Sequence, residues 1–533
     1  MRSHLVALTG AVLVRSLAEA SSKVSPTPPM GFNNWARFQC NLNQTLFTET
    51  ADAMASNGLL DAGFDRVNLD DCWPRMERTA NGSLMWNETL FPDGLIWLGD
   101  YLKKKGLKFG IYEDAGNETC GGYPGSLGYE EQDAATFASW GIDYLKVDGC
   151  NVYPPSESRY KELYSHWHDV LSKMENPLVF SESAPAYFCC QDNLTDWYEV
   201  MDWVPFYGEL ARHSTDIRVY GNGTGEWWSS ILNNYGENVR LARVQKPGYF
   251  NDPDFIIADF PSLTLDERRS QFALWSSFSA PLIISSYIPD LTKDELEYLT
   301  NKDIISIDQD PLGLQATLVS QDGTLDVLTK SLVNEDRLLT VFNRGNSSGS
   351  FRISMDRVGF ESSSSKACKR SAKDLWTGKS RDISGNKIEG DLAEHATAIY
   401  RISSQGNECG KVTPIGMIFN TASLNCLEAG PDGKATFATC NAQDSQVWQV
   451  KPDGTVNALS NPSSCLSESD DSSLRLDHCS GDPSHKWAYA TTGNLKNSAT
   501  SHCLTEESGT ATAASCGVLT DPQVFELPSG VLH

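Results

Sequence analysis

The sequence predicts an α/β chain built on a parallel (β/α)8 TIM barrel with further β-rich parts behind it, and three observations carry that reading. One short unit recurs three times: a helical stretch, a glycine, a short apolar strand and an acid at its end. It runs from Leu46 to Asp71 through Gly63, from Gly94 to Asp114 through Gly106, and from Glu130 to Asp148 through Gly141. Eight strand-like segments are complete by Ser286. From Cys409 onward the chain changes character and repeats itself at starts 39 and 38 residues apart (Cys426, Cys465, Cys503). Helices alternating with strands imply parallel strands whose carboxyl ends share one face, and a barrel keeps its active site there.

Taken in order, Arg2 and His4 precede an apolar run from Leu5 to Val14, and Ala18-Glu19-Ala20 offers a small-residue cleavage site. Residues 1–20 are therefore expected to be a secretory signal peptide. After Pro26-Thr27-Pro28-Pro29, the first strand is Met30-Gly31-Phe32-Asn33-Asn34-Trp35. Trp35 reads either as an aromatic plug or as an apolar platform for a pyranose face. The second strand ends in Asp70 and Asp71, the third in Glu113 and Asp114. The fourth is Ile142 to Gly149, in which Leu145 and Val147 suit a pleated core and Gly149 releases the chain after Asp148. Ahead of it, Ala134, Phe137, Ala138 and Trp140 keep helical spacing, and Gly141 sits where a left-handed cap belongs. Asn176–Glu182 is the fifth strand, and Val200-Met201-Asp202-Trp203-Val204 is expected as the sixth, leading to Arg212-His213-Ser214-Thr215-Asp216. Gly248–Asp254 and Pro281–Ser285 complete the eight. A lone strand-end Asp often only caps a turn. Several on one rim repel one another, so chemistry explains them better.

Charge narrows the partners. With 43 basic against 69 acidic residues, a net charge of −26 and a pI near 4.7, neither nucleic acid nor an anionic membrane is expected to bind. No later run of about 18 apolar residues could span a bilayer. Seven Asn-x-Ser/Thr sequons agree with secretion: Asn43, Asn81, Asn87, Asn117, Asn193, Asn222 and Asn346. Most of the 14 cysteines are then expected as disulfides. No Cys-x-x-Cys occurs and the nine histidines lack ligand-like spacing, so neither a metal nor a cofactor is expected.

Met30-Gly31-Phe32-Asn33-Asn34-Trp35, Asn68-Leu69-Asp70-Asp71-Cys72-Trp73, Lys146-Val147-Asp148-Gly149-Cys150 and Asn251-Asp252-Pro253-Asp254 resemble the signature segments of glycoside hydrolase family 27, in its order and spacing, over residues 25–400. The likeness is strongest to secreted fungal α-galactosidases. It implies a barrel over residues 21–311 and a small antiparallel β-sandwich over 312–403. Asp148 takes the family's nucleophile position. Asp216, at Arg-x-x-x-Asp spacing from Arg212, takes that of the acid/base, the two-carboxylate scheme of a retaining enzyme. Lys146 points to the same side of its strand as Asp148 and could keep it ionised. Asp70 and Asp71 resemble the pair that accepts galactose hydroxyls; Lys146, Arg212 and Asp254 would contact others, over a floor made by Trp35. Cys40–Cys72 and Cys120–Cys150 match family disulfides. The implied reaction removes terminal α-D-galactose from galacto-oligosaccharides, galactomannans and other α-galactosides. At the C2-reading loop, however, Ser183 and Ala186 are small and resemble α-N-acetylgalactosaminidases, which leaves that activity, or both, open. A non-enzymatic carbohydrate-binding protein and a Mg²⁺- or Ca²⁺-dependent hydrolase are the other classes weighed.

Residues 409–530 resemble a ricin-type β-trefoil, with Cys426–Cys440, Cys465–Cys479 and Cys503–Cys516 as one disulfide per lobe. Each repeat ends in a Gln-x-Trp-like element: Gln446-Val447-Trp448, His485-Lys486-Trp487 and Gln523-Val524-Phe525. The sugar-binding Asp expected after Cys-Leu is Glu428, Ser467 or Thr505, and the stacking aromatic is Ala438, Asp477 or Ala514. Weak carbohydrate binding at most is expected, from a module with a core of its own and therefore separable. Cys189, Cys190, Cys368 and Cys409 receive no assignment.

Overall fold

The computed structural model describes residues 24–190, 194–219, 227–360, 368–406, 409 and 411–531. The signal-peptide segment and the sequons at Asn193 and Asn222 lie outside them. Eight parallel strands form the first sheet: β1 (Met30–Asn33), β2 (Arg66–Leu69), β3 (Lys108–Asp114), β4 (Tyr144–Asp148), β5 (Val179–Glu182), β6 (Leu210–Arg212), β7 (Phe250–Asp252) and β8 (Leu282–Ile284). Their order is β7-β6-β5-β4-β3-β2-β1-β8, and the ring closes just past β7, where Ile256 bridges Ile284 in parallel. Tyr144, Val179, Leu210 and Phe250, the first residues of β4 to β7, form an apolar plug at one end. The opposite ends carry Asp114 and Asp148 in register with one another, then Arg212 paired with Asp252. Gly63, Gly106 and Gly141 all adopt left-handed backbone before their strands.

One strand differs from expectation. Val200 to Trp203 lies in a helix, Thr195–Trp203, and the sixth strand is Leu210–Arg212. Trp197, Tyr198, Val200 and Met201 are buried while Asp196 and Glu199 are exposed, which is a helical face. Five residues were too short a window to separate that period from a strand's. The helix after β1 also ends early, at Ser56, and a short one at Leu59–Ala62 follows left-handed Gly58.

Behind the barrel, β9 (Thr317–Gln321), β10 (Leu325–Ser331), β11 (Arg337–Asn343), β13 (Lys369–Asp374), β14 (Ser380–Asp382) and β16 (Thr397–Gln405) form a six-stranded antiparallel sheet. It faces a two-stranded antiparallel sheet of β12 (Gly349–Ser354) and β15 (Lys387–Leu392) across an apolar core. The last part carries three hairpins, each tied by its own disulfide: Cys426–Cys440, Cys465–Cys479 and Cys503–Cys516. Trp448 Nε1 donates to Leu427 O at 2.8 Å and Trp487 Nε1 to Leu466 O at 2.9 Å, the same contact repeated one lobe on. Phe525 takes that place in the third lobe, without a donor.

This last part has its own core, yet it is not a loosely attached module. Met417, Phe419, Leu519 and Val524 belong to the barrel's core, and Ile415 and Val447 to that of the sandwich. Tyr198 shares a 2.8 Å hydrogen bond with Thr421, and buried Arg243 faces buried Glu526 at 3.9 Å. These contacts weigh against the expectation of a separable domain, which truncation would test. The remaining cysteines pair as Cys189–Cys190 and Cys368–Cys409.

Candidate active site

A cavity of about 350 Å³ opens at the carboxyl ends of the strands. Of the residues expected there, Trp35, Asp70, Lys146, Asp148, Ser183, Ala186, Arg212 and Asp216 line it, joined by Tyr112, Tyr187, Ser214, Thr215, Arg218 and the Cys120–Cys150 disulfide. Asp71 and Asp254 stand outside that lining. Backbone N–H groups of Cys72 (2.6 Å) and Gly121 (2.7 Å) occupy the Asp71 carboxylate. Asp254 holds Arg212 at 3.0 Å and accepts from Ile217 N at 2.7 Å, so it supports the wall from behind.

Lys146 and Asp148 share one face of β4 because alternate residues of a strand do. Lys146 does not ion-pair directly with Asp148: its Nζ donates to Asp70 Oδ2 at 2.9 Å, an oxygen that also accepts from Asn33 Nδ2 at 2.7 Å. Burial alone would lower the Lys146 pKa, but Asp70 and then Asp148 outweigh it, and the ammonium stays charged. The carboxylate of Asp148 is served by neutral donors. Its Oδ1 accepts the hydroxyl of Tyr187 in a short hydrogen bond and the Gly149 N–H at 3.0 Å. Burial and the Asp148 charge push Tyr187 well above an ordinary phenol, so it remains a donor.

The backbone around Asp148 is pinned on both sides. Tyr160 OH donates to Gly149 O (2.6 Å) and Tyr164 OH to Val147 O (3.0 Å), both from the helix Glu157–Leu171. Beside it, Asp114 accepts from Gly116 N (2.7 Å) and Cys150 N (2.8 Å), and burial with the Asp148 charge pushes its pKa up to about 7.

Across the cavity, Arg212 ends β6 and donates from Nη2 to Asp216 Oδ1 at 2.9 Å. Trp35 Nε1 reaches Asp216 Oδ2 at 3.4 Å. The surrounding protein works against ionisation of Asp216, although its side chain keeps 59% of its accessible surface. The charges of Arg212 and Lys146 prevail and hold the carboxyl below its ordinary range. The cavity thus contains two carboxylates in unlike settings: one on neutral donors, one against a cation. Sequence reasoning missed Tyr187. It lies one residue past Ala186 in the turn Ala184–Tyr187, and nothing in its neighbours' types marks it.

Acidic and sulfur groups of Asp114, Cys120, Asp148 and Cys150 also cluster within 4.8 Å. The two sulfurs are bonded to each other, so they offer no thiolate, and the cluster lacks the donor set of a metal centre.

A family model described as alpha galactosidase A matches residues 27–310. The alpha galactosidase C-terminal beta sandwich domain matches 322–402, and the ricin-type beta-trefoil lectin domain 414–524. Alpha-galactosidase A of Aspergillus niger is 59% identical over 513 residues, covering 95% of this chain and 92% of that relative. Among solved structures, alpha-galactosidase I from Mortierella vinacea superposes with a TM-score of 0.65 at 27% identity, over 73% of this chain and 99% of that one. The Saccharomyces cerevisiae alpha-galactosidase with raffinose gives a TM-score of 0.63 at 25% identity, over 71% and 98%. By fold, by cavity and by likeness along nearly its whole length, the chain belongs to the alpha galactosidase A family.

Proposed function

We propose that this protein is a secreted, retaining α-galactosidase that removes terminal α-D-galactose, with Asp148 as nucleophile and Asp216 as acid/base. Asp148 attacks the anomeric carbon while Asp216 gives its proton to the departing glycosidic oxygen, leaving a galactosyl ester on Asp148. Asp216, now a base, takes a proton from water, which attacks the same carbon and frees Asp148. The observation that carries this reading is the pair of carboxylates, Asp148 and Asp216, facing one sugar-sized cavity. Arg212 and Lys146 favour the ionised Asp216 that takes the proton from water, so the first step draws on its minor protonated form. Lys146 and Arg212 supply donors for hydroxyls, Asp70 an acceptor, and Trp35 an apolar wall. Asp71 and Asp254 act by holding the loops behind that wall. Seven disulfides form in an oxidising compartment and support secretion, as do the exposed sequons Asn43, Asn81, Asn117 and Asn346.

The test is release of galactose from an aryl α-galactoside. Asp148→Asn is nearly isosteric and should fold, yet keep below about 1% of the wild-type rate, because an amide cannot attack. Larger residual activity would place the nucleophile elsewhere.

A second reading has its own observation. Ser183 and Ala186 both line the cavity, and the buried Ser183 Oγ has no hydrogen-bond partner among the described residues. Space and a free hydroxyl suit an acetamido group at C2, so α-N-acetylgalactosaminide hydrolysis by the same site is proposed alongside. Ser183→Glu with Ala186→Leu should lower that rate far more than the galactoside rate; equal losses would remove this loop from C2 recognition. In the trefoil only the first lobe carries an acid after Cys-Leu, Glu428, which accepts from Gln446 Nε2 at 2.9 Å, and that lobe is the place for weak sugar binding. Galactose-competed retention on insoluble galactomannan measures it.

A further inference from the structure

Beyond β6 the chain runs on past the acid/base, and exposure alternates along it: Asp216 exposed, Ile217 buried, Arg218 exposed, Val219 buried. Alternate side chains of an extended segment share a face, so Arg218 lies on the face of Asp216, and both line the cavity. The segment is fixed by its backbone: Ile217 N donates to Asp254 Oδ2 at 2.7 Å and Arg218 N to Ser230 Oγ at 3.0 Å. The other two cations in this wall are committed, Lys146 to Asp70 and Arg212 to Asp216 and Asp254. Among the described residues no carboxylate pairs with Arg218, although the chain carries a net charge of −26.

The group that protonates the glycosidic oxygen must stand beside the leaving group. A side chain two residues on, on the same face, stands beside it as well. We infer that Arg218 forms the leaving-group side of the site and selects aglycones bearing a carboxylate next to the scissile bond. The inference rests on the assignment of Asp216 as acid/base. A planar, permanently charged guanidinium with free donors suits a carboxylate in two-point contact. A neutral aglycone would leave that cation to water.

The experiment compares two aryl α-galactosides with phenols of matched acidity, one neutral and one carrying a carboxylate on the ring. The ratio of kcat/KM, anionic over neutral, is the readout. In the full-length protein at low salt it should fall about two- to fivefold in Arg218→Gln, the range for a partly exposed ion pair. It should fall further in Arg218→Glu, return toward wild type in Arg218→Lys, and shrink in wild type at high salt. The same ratio read as Kd in an Asp148→Asn background requires no turnover. A response in Kd to the residue at 218, with no hydrolysis by the wild-type protein, would overturn the proposed activity while showing that Arg218 binds the carboxylate. Ratios that ignore the residue at 218, in both measurements and in correctly folded variants, overturn it.

Discussion

At the residue scale the chemistry depends on donors that set two carboxylates apart. Tyr187 donates to Asp148 without carrying charge; in the proposed mechanism it keeps that carboxylate ionised for attack and supports it again as the group expelled from the galactosyl ester. Tyr187→Phe deletes that hydroxyl and nothing else. A hydrogen bond to a charged group contributes roughly 1.5–3 kcal/mol, so kcat/KM for an aryl galactoside should drop about 10- to 100-fold with little change in Tm. An unchanged rate would reduce Tyr187 to a wall residue. Trp35 acts on the other carboxylate, since its indole N–H is among the groups that hold the Asp216 pKa down. The acid must carry its proton in the first step, so activity falls as pH rises through that pKa. Trp35→Phe should move the alkaline limb of kcat/KM toward higher pH for a substrate with a poor leaving group. A limb that stays in place, or moves down, would detach it from Asp216.

At the scale of elements, the helix Glu157–Leu171 serves β4 more than its own packing requires. Tyr160 and Tyr164 lie four residues apart on one face, and each hydroxyl takes a carbonyl flanking Asp148. Gly149 leaves room for this: a Cβ there would come within 2.6 Å of the Tyr160 ring and 3.2 Å of the Tyr187 ring. Gly149→Ala should therefore displace both tyrosines that support Asp148, the proposed nucleophile. Overpacking of this kind costs about 1–3 kcal/mol, and turnover should fall at least tenfold, read by calorimetry and steady-state rates on the same preparation. A wild-type rate would show that the turn after Asp148 tolerates a side chain. The sixth strand teaches a related lesson. It has three residues, Leu210–Arg212, too few to show alternation, whereas the helix before it contains the longer apolar run.

At the scale of the whole molecule, buried acids tie stability to pH. Burial pushes Glu526 up to about 8 and, with the Asp148 charge, Asp114 up to about 7; burial also raises Glu113, Glu182 and Asp308 well above ordinary carboxyls. The folded chain keeps these protons where the unfolded chain has released them, so stability falls as pH rises from about 4 to 8. His213, buried and lowered to about 3, acts in the opposite sense only below its ordinary 6.5. Tm should therefore be lower at pH 8 than at pH 6.5, and a rise across that interval would contradict the assignment. The trefoil gives a second test. Ending the chain at Gly406 strips Met417, Phe419 and Val524 from the barrel's core. Each such side chain contributes roughly 1.5–3 kcal/mol, so the three together contribute about 4.5–9 kcal/mol and Tm should fall by about 6–11 °C. An unchanged Tm would restore the separable module.

The sequence by itself determined the parallel barrel, the three lobes at the end, and the strand ends that bear Asp70, Asp114 and Asp148. These rest on local period, on glycines placed between helix and strand, and on repeats, all of which a chain displays before it folds. Asp148 and Lys146 were legible because two residues of one strand share a face. What only the tertiary structure decided is which neighbour each of them meets. Lys146 turns to Asp70, 76 residues away in sequence; Tyr187 reaches Asp148 from another strand's loop; Asp71 and Asp254 are occupied behind the wall. The trefoil's attachment is of the same kind, since Phe419 and Val524 look like any apolar residues until the barrel lies against them. Periodicity reports the face a side chain occupies, whereas its partner is set by how distant strands and loops close around one cavity.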